Sequence, residues 1–175
     1  LGSTGSVGTQ TLDVVRQYPG AFRVVGLAAR SSLVTLGAQA REFHPALISC
    51  DGTQVEKTAL FSNGSQESDL DEMVRHPEVD LVVTATVGDV ALDPTIAAIK
   101  AGKNVALANK ESIVIAGRLL TSLARKHNVK LLPLDSEPNA IWQCLRGEDK
   151  AISRLFLTAS GGAFRNLPAA ELADR

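Results

Sequence analysis

A chain of 175 residues, 45% of them apolar, is long enough to bury roughly 70% of the surface its unfolded form exposes, so one sizeable core is the starting expectation. Charge is almost balanced, with 18 Lys and Arg against 19 Asp and Glu, and the basic residues are scattered, which argues against nucleic acid and anionic membrane as partners. No apolar run approaches the about 20 residues of a membrane span, no leader-like segment opens the chain, and two distant cysteines, Cys50 and Cys144, suit a soluble protein of a reducing cytoplasm.

The chain opens on Leu1-Gly-Ser-Thr-Gly-Ser-Val-Gly8, without an initiator Met and inside a motif that ordinarily follows a strand, so its beginning reads as cut. Gly2, Gly5 and Gly8 form a G-x-x-G-x-x-G loop leading into a helix over residues 9–18, with Val7, Leu12, Val14, Val15 and Tyr18 as its apolar stripe. Glycines let a backbone approach a pyrophosphate, and the free N–H groups of a helix start favour its charge, so loop and helix fit a dinucleotide site. Residues 22–29 are an apolar, strand-like run. In an NAD site an acidic residue at its end would bind the ribose 2′-hydroxyl. Here Arg30, Ser31 and Ser32 stand there instead, and a guanidinium with two hydroxyls suits the 2′-phosphate of NADPH. The competing reading is that a serine caps the next helix, over residues 33–43, while Arg30 lies in solvent.

Alternation continues. A short strand is expected over residues 45–49, a helix over 53–61, and a loop at 62–65, where Asn63-Gly-Ser65 matches a glycosylation sequon but reads as a turn. Ser68-Asp-Leu-Asp71 has the spacing of a capping box before a helix through Met73 and Val74. Residues 80–85 are the clearest strand, ending at Thr86-Val-Gly88, where Ala85 and Gly88 would face a cofactor. A helix over 92–101 closed by Gly102 and a strand over 104–108 follow. Next, Asn109-Lys-Glu-Ser112 precedes a helix over residues 112–126 with Ile113, Leu119, Leu120 and Leu123 apolar. Lys110 would offer an ammonium to an oxyanion and Asn109 an amide to the cofactor; the plain alternative is an Asn cap beside an exposed ion pair. His44, His76 and His127 sit at helix ends, where a helix dipole explains them without catalysis.

Residues 130–134 form a short apolar strand, and Asp135 and Glu137 follow it on a turn before a helix over 139–145. Two hard oxygen donors two residues apart suit Mg²⁺ or Mn²⁺ better than Zn²⁺, since no softer ligand is near; helix capping is the alternative. Trp142 on that helix reads as core. Residues 152–159 alternate like a strand and end in Ser160-Gly161-Gly162, a hydroxyl with bare N–H groups that suit a phosphate as well as a plain turn. Strands alternating with helices imply an α/β, doubly wound, mostly parallel Rossmann-like sheet, its first strand missing.

Taken together, Gly2-Ser-Thr-Gly-Ser-Val-Gly8, Leu107-Ala-Asn-Lys-Glu-Ser112, Leu134-Asp-Ser-Glu-x-Asn139 and Thr158-Ala-Ser-Gly-Gly-Ala-Phe-Arg165 resemble the 1-deoxy-D-xylulose 5-phosphate reductoisomerase family across nearly the whole chain. The resemblance implies an NADPH-binding domain over residues 1–134 and the start of an α/β catalytic domain over 135–175. It also implies a metal-assisted retro-aldol and aldol rearrangement with hydride transfer from NADPH, giving 2-C-methyl-D-erythritol 4-phosphate for isoprenoid synthesis. Asp135 and Glu137 would hold Mg²⁺ or Mn²⁺. Lys110, Ser136, Glu137 and Ser160 would contact the phosphorylated sugar, with Lys110 catalytic, and Thr4, Gly5, Ser6, Val7, Asn109 and Glu111 would line the NADPH site with Arg30, Ser31 and Ser32. The latter three stand where the family often has a Gly-basic-Asn sequence, which shifts the 2′-phosphate contacts. Pro138 replaces a His and Ala163 a Pro of many members; neither is a metal ligand, so altered turn geometry is expected. The family's third metal-binding glutamate and its lid fall beyond Arg175, so this chain by itself is expected to be nearly inactive and the full-length protein a homodimer. Another NADP-dependent dehydrogenase of the aldehyde or semialdehyde type would need a Cys or His placed for its chemistry. A non-catalytic dinucleotide sensor would bind NADPH without regard to metal or substrate.

Overall fold

The computed structural model describes residues 1–53, 60–61, 64–148, 152–156, 166, 168 and 171. In chain order the elements are α1 (Ser6–Gln17), β1 (Gly26–Ala29), α2 (Leu33–Phe43), β2 (Leu47–Cys50), β3 (Gln66–Glu67), α3 (Leu70–Arg75), β4 (Leu81–Thr84), α4 (Leu92–Lys100), β5 (Asn104–Leu107), α5 (Lys110–His127), β6 (Leu131–Pro133) and α6 (Ser136–Cys144). A single 3-10 turn, Gly88–Ala91, runs directly into α4.

Among the described residues the strand pairs are all parallel. One set runs β1-β2-β3, with Gly26 opposite Leu47 and Ala29 opposite Cys50, and the other β4-β5-β6, with Leu81 opposite Asn104 and Thr84 opposite Leu107. Leu1 joins the two sets. Its amino group donates to Val83 O at 2.7 Å and its carbonyl accepts from Ala85 N at 2.9 Å, the hydrogen-bond pattern of a parallel strand residue beside Thr84. On the other side, Gly2 and Ser3 N–H both donate to Ala28 O. Leu1 therefore takes the place between β1 and β4 that the first strand of a doubly wound sheet occupies.

Buried parallel strands need apolar side chains on both faces, and β5, where Val105, Ala106 and Leu107 are all buried, shows this. One core packs Val82, Val105 and Leu107 against Ala97, Ala98 and Ile99 of α4 and Leu120 of α5; a second packs Leu27 and Ile48 against Leu12, Leu36 and Ala40. Leu1 touches the first of these, and also the small cluster of Ala28, Leu47 and Met73.

Several elements differ from the sequence reading. α1 begins at Ser6, inside the glycine loop, and buries only Gly8 and Leu12, leaving Val7, Val14 and Tyr18 exposed. The cap of α3 is Asp69, whose carboxylate accepts from Glu72 N at 2.7 Å, one residue later than expected because Ser68 turns its hydroxyl to Asp69 O and Glu72. On α5, Leu120 and Ala124 are buried, Leu123 packs partly, and Ile113 and Leu119 face outward, so the helix seats a narrower stripe than its composition implies. Residues 152–156 carry no regular structure where a strand was expected. The helix expected over 53–61 and the Ser160 turn fall largely or wholly outside the described residues.

Candidate functional site

Because the strands are parallel and Leu1 meets the ends of both β1 and β4, the segments that follow them open on one edge of the sheet. That edge receives the glycine loop, Arg30 to Ser32, the turn after β4, Asn109 to Glu111, and Asp135 to Glu137. An open α/β sheet binds its ligands at this edge.

The glycines divide by purpose. Gly2 has φ +76°, and a Cβ there would lie 2.7 Å from Ala85 O, so backbone approach excludes a side chain. At Gly8 a Cβ would meet Gly2 O at 2.2 Å and Ser3 Cα at 2.6 Å, because the first turn of α1 lies on the loop. Gly5 is different: it is exposed, and a Cβ there would find nothing nearer than Gly2 O at 3.5 Å. Nothing in the protein fills that space, yet a side chain would. Gly5 is also the N-cap of α1 and no side chain caps the helix, so the N–H groups of Ser6 and Val7 remain available at the positive end of the helix dipole. Thr4 is half-buried beside them. Such an arrangement can take a phosphate of the kind a dinucleotide carries.

Ser3, inside the loop, is buried and tied to α2. Its Oγ donates to Gln39 Oε1 at 2.8 Å, and Gln39 Nε2 donates back to Ser3 O at 2.9 Å. The sequence reading missed this pair. Its signal was a glutamine on the core-facing side of α2, among Leu36, Gly37 and Ala40.

At the end of β1, Arg30, Ser31 and Ser32 are all exposed. Ser32 is the N-cap of α2 but makes no side-chain capping bond, and Arg30 Nε lies 3.5 Å from Asp51 Oδ2. Of the alternative reading, a serine capping α2 while Arg30 lies in solvent, the exposed Arg30 and Ser32 at the N-cap position are present, but the side-chain capping bond is not.

Asn109 is almost fully buried and committed to the protein. Its Nδ2 donates to Thr86 O and Gly88 O, both at 2.8 Å, and its Oδ1 accepts from Ser112 N at 2.8 Å and Ser112 Oγ at 2.6 Å. Of the two readings of this residue, the cap of α5 is the one present, and the same amide fixes the turn after β4. No amide hydrogen is left over for a ligand. Thr86, in that turn and against Gly2, keeps a buried Oγ1 with no hydrogen-bond partner among the described residues. Glu111 is half-buried in the first turn of α5, and Lys110 is exposed.

α6 begins at Ser136, three residues earlier than expected, since Pro138 falls in the first turn, where a missing N–H costs no hydrogen bond. Asn139 Nδ2 anchors the helix to Pro133 O of β6 at 2.6 Å. Asp135, half-buried, is its N-cap residue yet makes no side-chain capping bond, so its carboxylate is not spent on the helix. Glu137 is exposed and accepts from Ser136 Oγ at 2.7 Å. That bond, its own backbone N–H and the field of the Lys110 ammonium hold its carboxyl below the usual range. Lys110 and Glu137 thus approach from adjacent strands. Among the described residues no group of three or more His, Cys, Asp or Glu is placed to hold a metal; Asp135 and Glu137 supply two carboxylates. Trp142, expected in the core, is 37% exposed with the Arg146 guanidinium 4.9 Å from its ring centre. No helix of the described residues is long and apolar enough to cross a membrane.

The family model for 1-deoxy-D-xylulose 5-phosphate reductoisomerase matches residues 1–117, and the model for the C-terminal domain of the same enzyme matches 131–175. The reductoisomerase of Crocosphaera subtropica is 49% identical over 98% of this chain and 46% of its own length; the chloroplastic enzyme of Mentha piperita is 47% identical over 99% of the chain and 39% of its own. A crystal structure of the reductoisomerase with magnesium superposes with a TM-score of 0.86 at 37% identity, covering 99% of this chain and 48% of that one. The Zymomonas mobilis enzyme with NADPH gives 0.84 at 35% identity, covering 99% and 48%. The chain spans about half the length, or less, of the curated relatives it matches. On the strength of these matches along nearly all of its residues, the chain belongs to the 1-deoxy-D-xylulose 5-phosphate reductoisomerase family.

Proposed function

We propose that the whole protein to which these residues belong reduces and isomerises 1-deoxy-D-xylulose 5-phosphate to 2-C-methyl-D-erythritol 4-phosphate with NADPH and Mg²⁺ or Mn²⁺, as a cytoplasmic homodimer serving isoprenoid precursor synthesis. The observation that carries the reading is the meeting, on one sheet edge, of an open glycine cradle with Lys110, Glu137 and an Asp135 that makes no capping bond. Related structures with bound NADPH, fosmidomycin and magnesium point the same way.

The residues fit both bound groups. For NADPH, the open space at Gly5 and the uncapped start of α1 would take a phosphate. Thr4, Ser6 and Val7 would line it, and Arg30, Ser31 and Ser32 would meet the 2′-phosphate. Asn109 would act from beneath by holding the 86–88 turn, while Glu111 borders the same space. For the metal, Asp135 and Glu137 are hard oxygen donors, with the Glu137 carboxyl held below its usual range, a set that suits Mg²⁺ or Mn²⁺. When bound, NADPH supplies the hydride and the divalent ion supplies Lewis acidity for the retro-aldol and aldol rearrangement.

This chain's own part is to orient and to balance charge. Lys110 would present its ammonium to developing negative charge on the sugar, on the same edge as Glu137, whose carboxylate feels its field. The Ser136 hydroxyl, which now donates to Glu137, would turn to the substrate, and Ser160 would seat the phosphate. We place the junction between cofactor and catalytic domains after residue 134, close to where the second family match begins.

The test is NADPH oxidation by the full-length enzyme with 1-deoxy-D-xylulose 5-phosphate and Mg²⁺ or Mn²⁺. Asp135→Asn should lower turnover by about two orders of magnitude or more while leaving NADPH binding intact. Unchanged turnover in that variant refutes the metal role.

A further inference from the structure

The geometry points to Gln39 as a positioning residue that sets the spacing between the phosphate cradle and the Arg30-Ser31-Ser32 cluster, and thereby the preference for a dinucleotide carrying a 2′-phosphate. The inference rests on the NADPH reading above.

Gln39 is 5% exposed, on the buried face of α2, and both ends of its amide are used on a single partner, Ser3. A buried glutamine is costly unless its donors and acceptor are met, and here one residue of the glycine loop meets them. Ser3 is fixed on two further sides. Its N–H donates to Ala28 O of β1, and the start of α1 lies so close that a Cβ on Gly8 would reach Ser3 Cα at 2.6 Å. Wherever Gln39 holds Ser3, the first turn of α1 and its free N–H groups must follow.

The other end of α2 begins at Leu33, directly after Arg30, Ser31 and Ser32. Gln39 stands six positions after Leu33 on the helix, a rigid strut of about 9 Å. Outside the core the same two helices are clamped by Arg16, which pairs with Glu42 and lies 5.1 Å from the Phe43 ring centre. Gln39 is thus the buried link between the element presenting the 2′-phosphate cluster and the loop presenting the cradle. A ligand with both charges gains from a fixed distance between the two subsites, whereas one lacking the 2′-phosphate engages the cradle alone.

The full-length enzyme tests this through dissociation constants for NADPH and NADH, read by quenching of protein fluorescence. Gln39→Met keeps volume and removes both hydrogen bonds; it should cut the NADPH-over-NADH preference about tenfold, with NADPH weakened more than NADH. Ser3→Ala removes one of the two bonds and leaves no cavity in α2. It should produce a smaller fall of the same sign, and it decides the matter if the Met variant does not fold. A preference unchanged in the folded variant, including equal weakening of both dinucleotides, overturns the inference, since a merely structural role gives that result. Wild-type enzyme that does not prefer NADPH, or an Arg30→Ala variant that binds NADPH as wild type does, would instead sink the cofactor reading on which the inference stands.

Discussion

Gly5 and Gly8 differ in what a methyl group would do to them. At Gly8 the methyl meets backbone atoms at 2.2 and 2.6 Å, so Gly8→Ala must push α1 off the loop, and a loss of about 3 kcal/mol or more in urea unfolding is expected. At Gly5 the nearest atom stands at 3.5 Å, so Gly5→Ala should leave stability within about 0.5 kcal/mol of wild type. The same change should weaken NADPH binding at least tenfold, because the methyl occupies the cradle. Asp51 makes a second residue-scale test. Its carboxylate stands 3.5 Å from the Arg30 guanidinium, with both side chains well exposed, so it competes with any phosphate for that cation. Asp51→Asn should tighten NADPH binding a few-fold at low salt and lose most of that gain at high salt. The close backbone approach at Gly2 and Gly8 was readable from the glycine spacing because that residue type alone tolerates it. The Ser3–Gln39 pair was not, since its partners are 36 positions apart and only the packing of α2 on the loop brings them together.

Asn109 shows how an element boundary can be part of a site. One amide caps α5 through Ser112 N and Ser112 Oγ and holds Thr86 O and Gly88 O at the end of β4. Asn109→Ala should therefore cost about 2–4 kcal/mol, more than a helix cap alone, and NADPH affinity should fall with it; denaturant midpoints and titration together check this. Asn109→Asp keeps the acceptor and loses both donors, so it should retain the cap and still loosen the turn, which protease susceptibility of residues 86–88 would show. Helix and strand order was legible because apolar periodicity is a local property. Starts and caps shifted by one to three residues where neighbours compete: Asp69 replaced Ser68 as a cap, and Pro138 entered the first turn of α6 instead of delaying it. Which apolar side chains of α5 are buried depends on the sheet beneath it: of Ile113, Leu119, Leu120 and Leu123, only Leu120 is fully buried, while Ile113 and Leu119 are exposed.

At the scale of the molecule, the two halves of the sheet meet through Leu1. Its nitrogen donates to Val83 O, the N–H of Gly2 beside it donates to Ala28 O, and its side chain packs on the first core and on the cluster of Ala28, Leu47 and Met73. Leu1→Ala keeps those backbone bonds and removes the packing, so it should cost about 2 kcal/mol, read as a lower urea midpoint.

The same seam makes the sheet a reader of whatever is joined ahead of Leu1. The next residue upstream enters the channel between β1 and β4, where both neighbours present parallel-strand backbone, so a β-branched apolar extension there is drawn in as a strand and tightens the union of the halves. A charged residue there would be desolvated between the two strands, at a cost in stability unless it is paired.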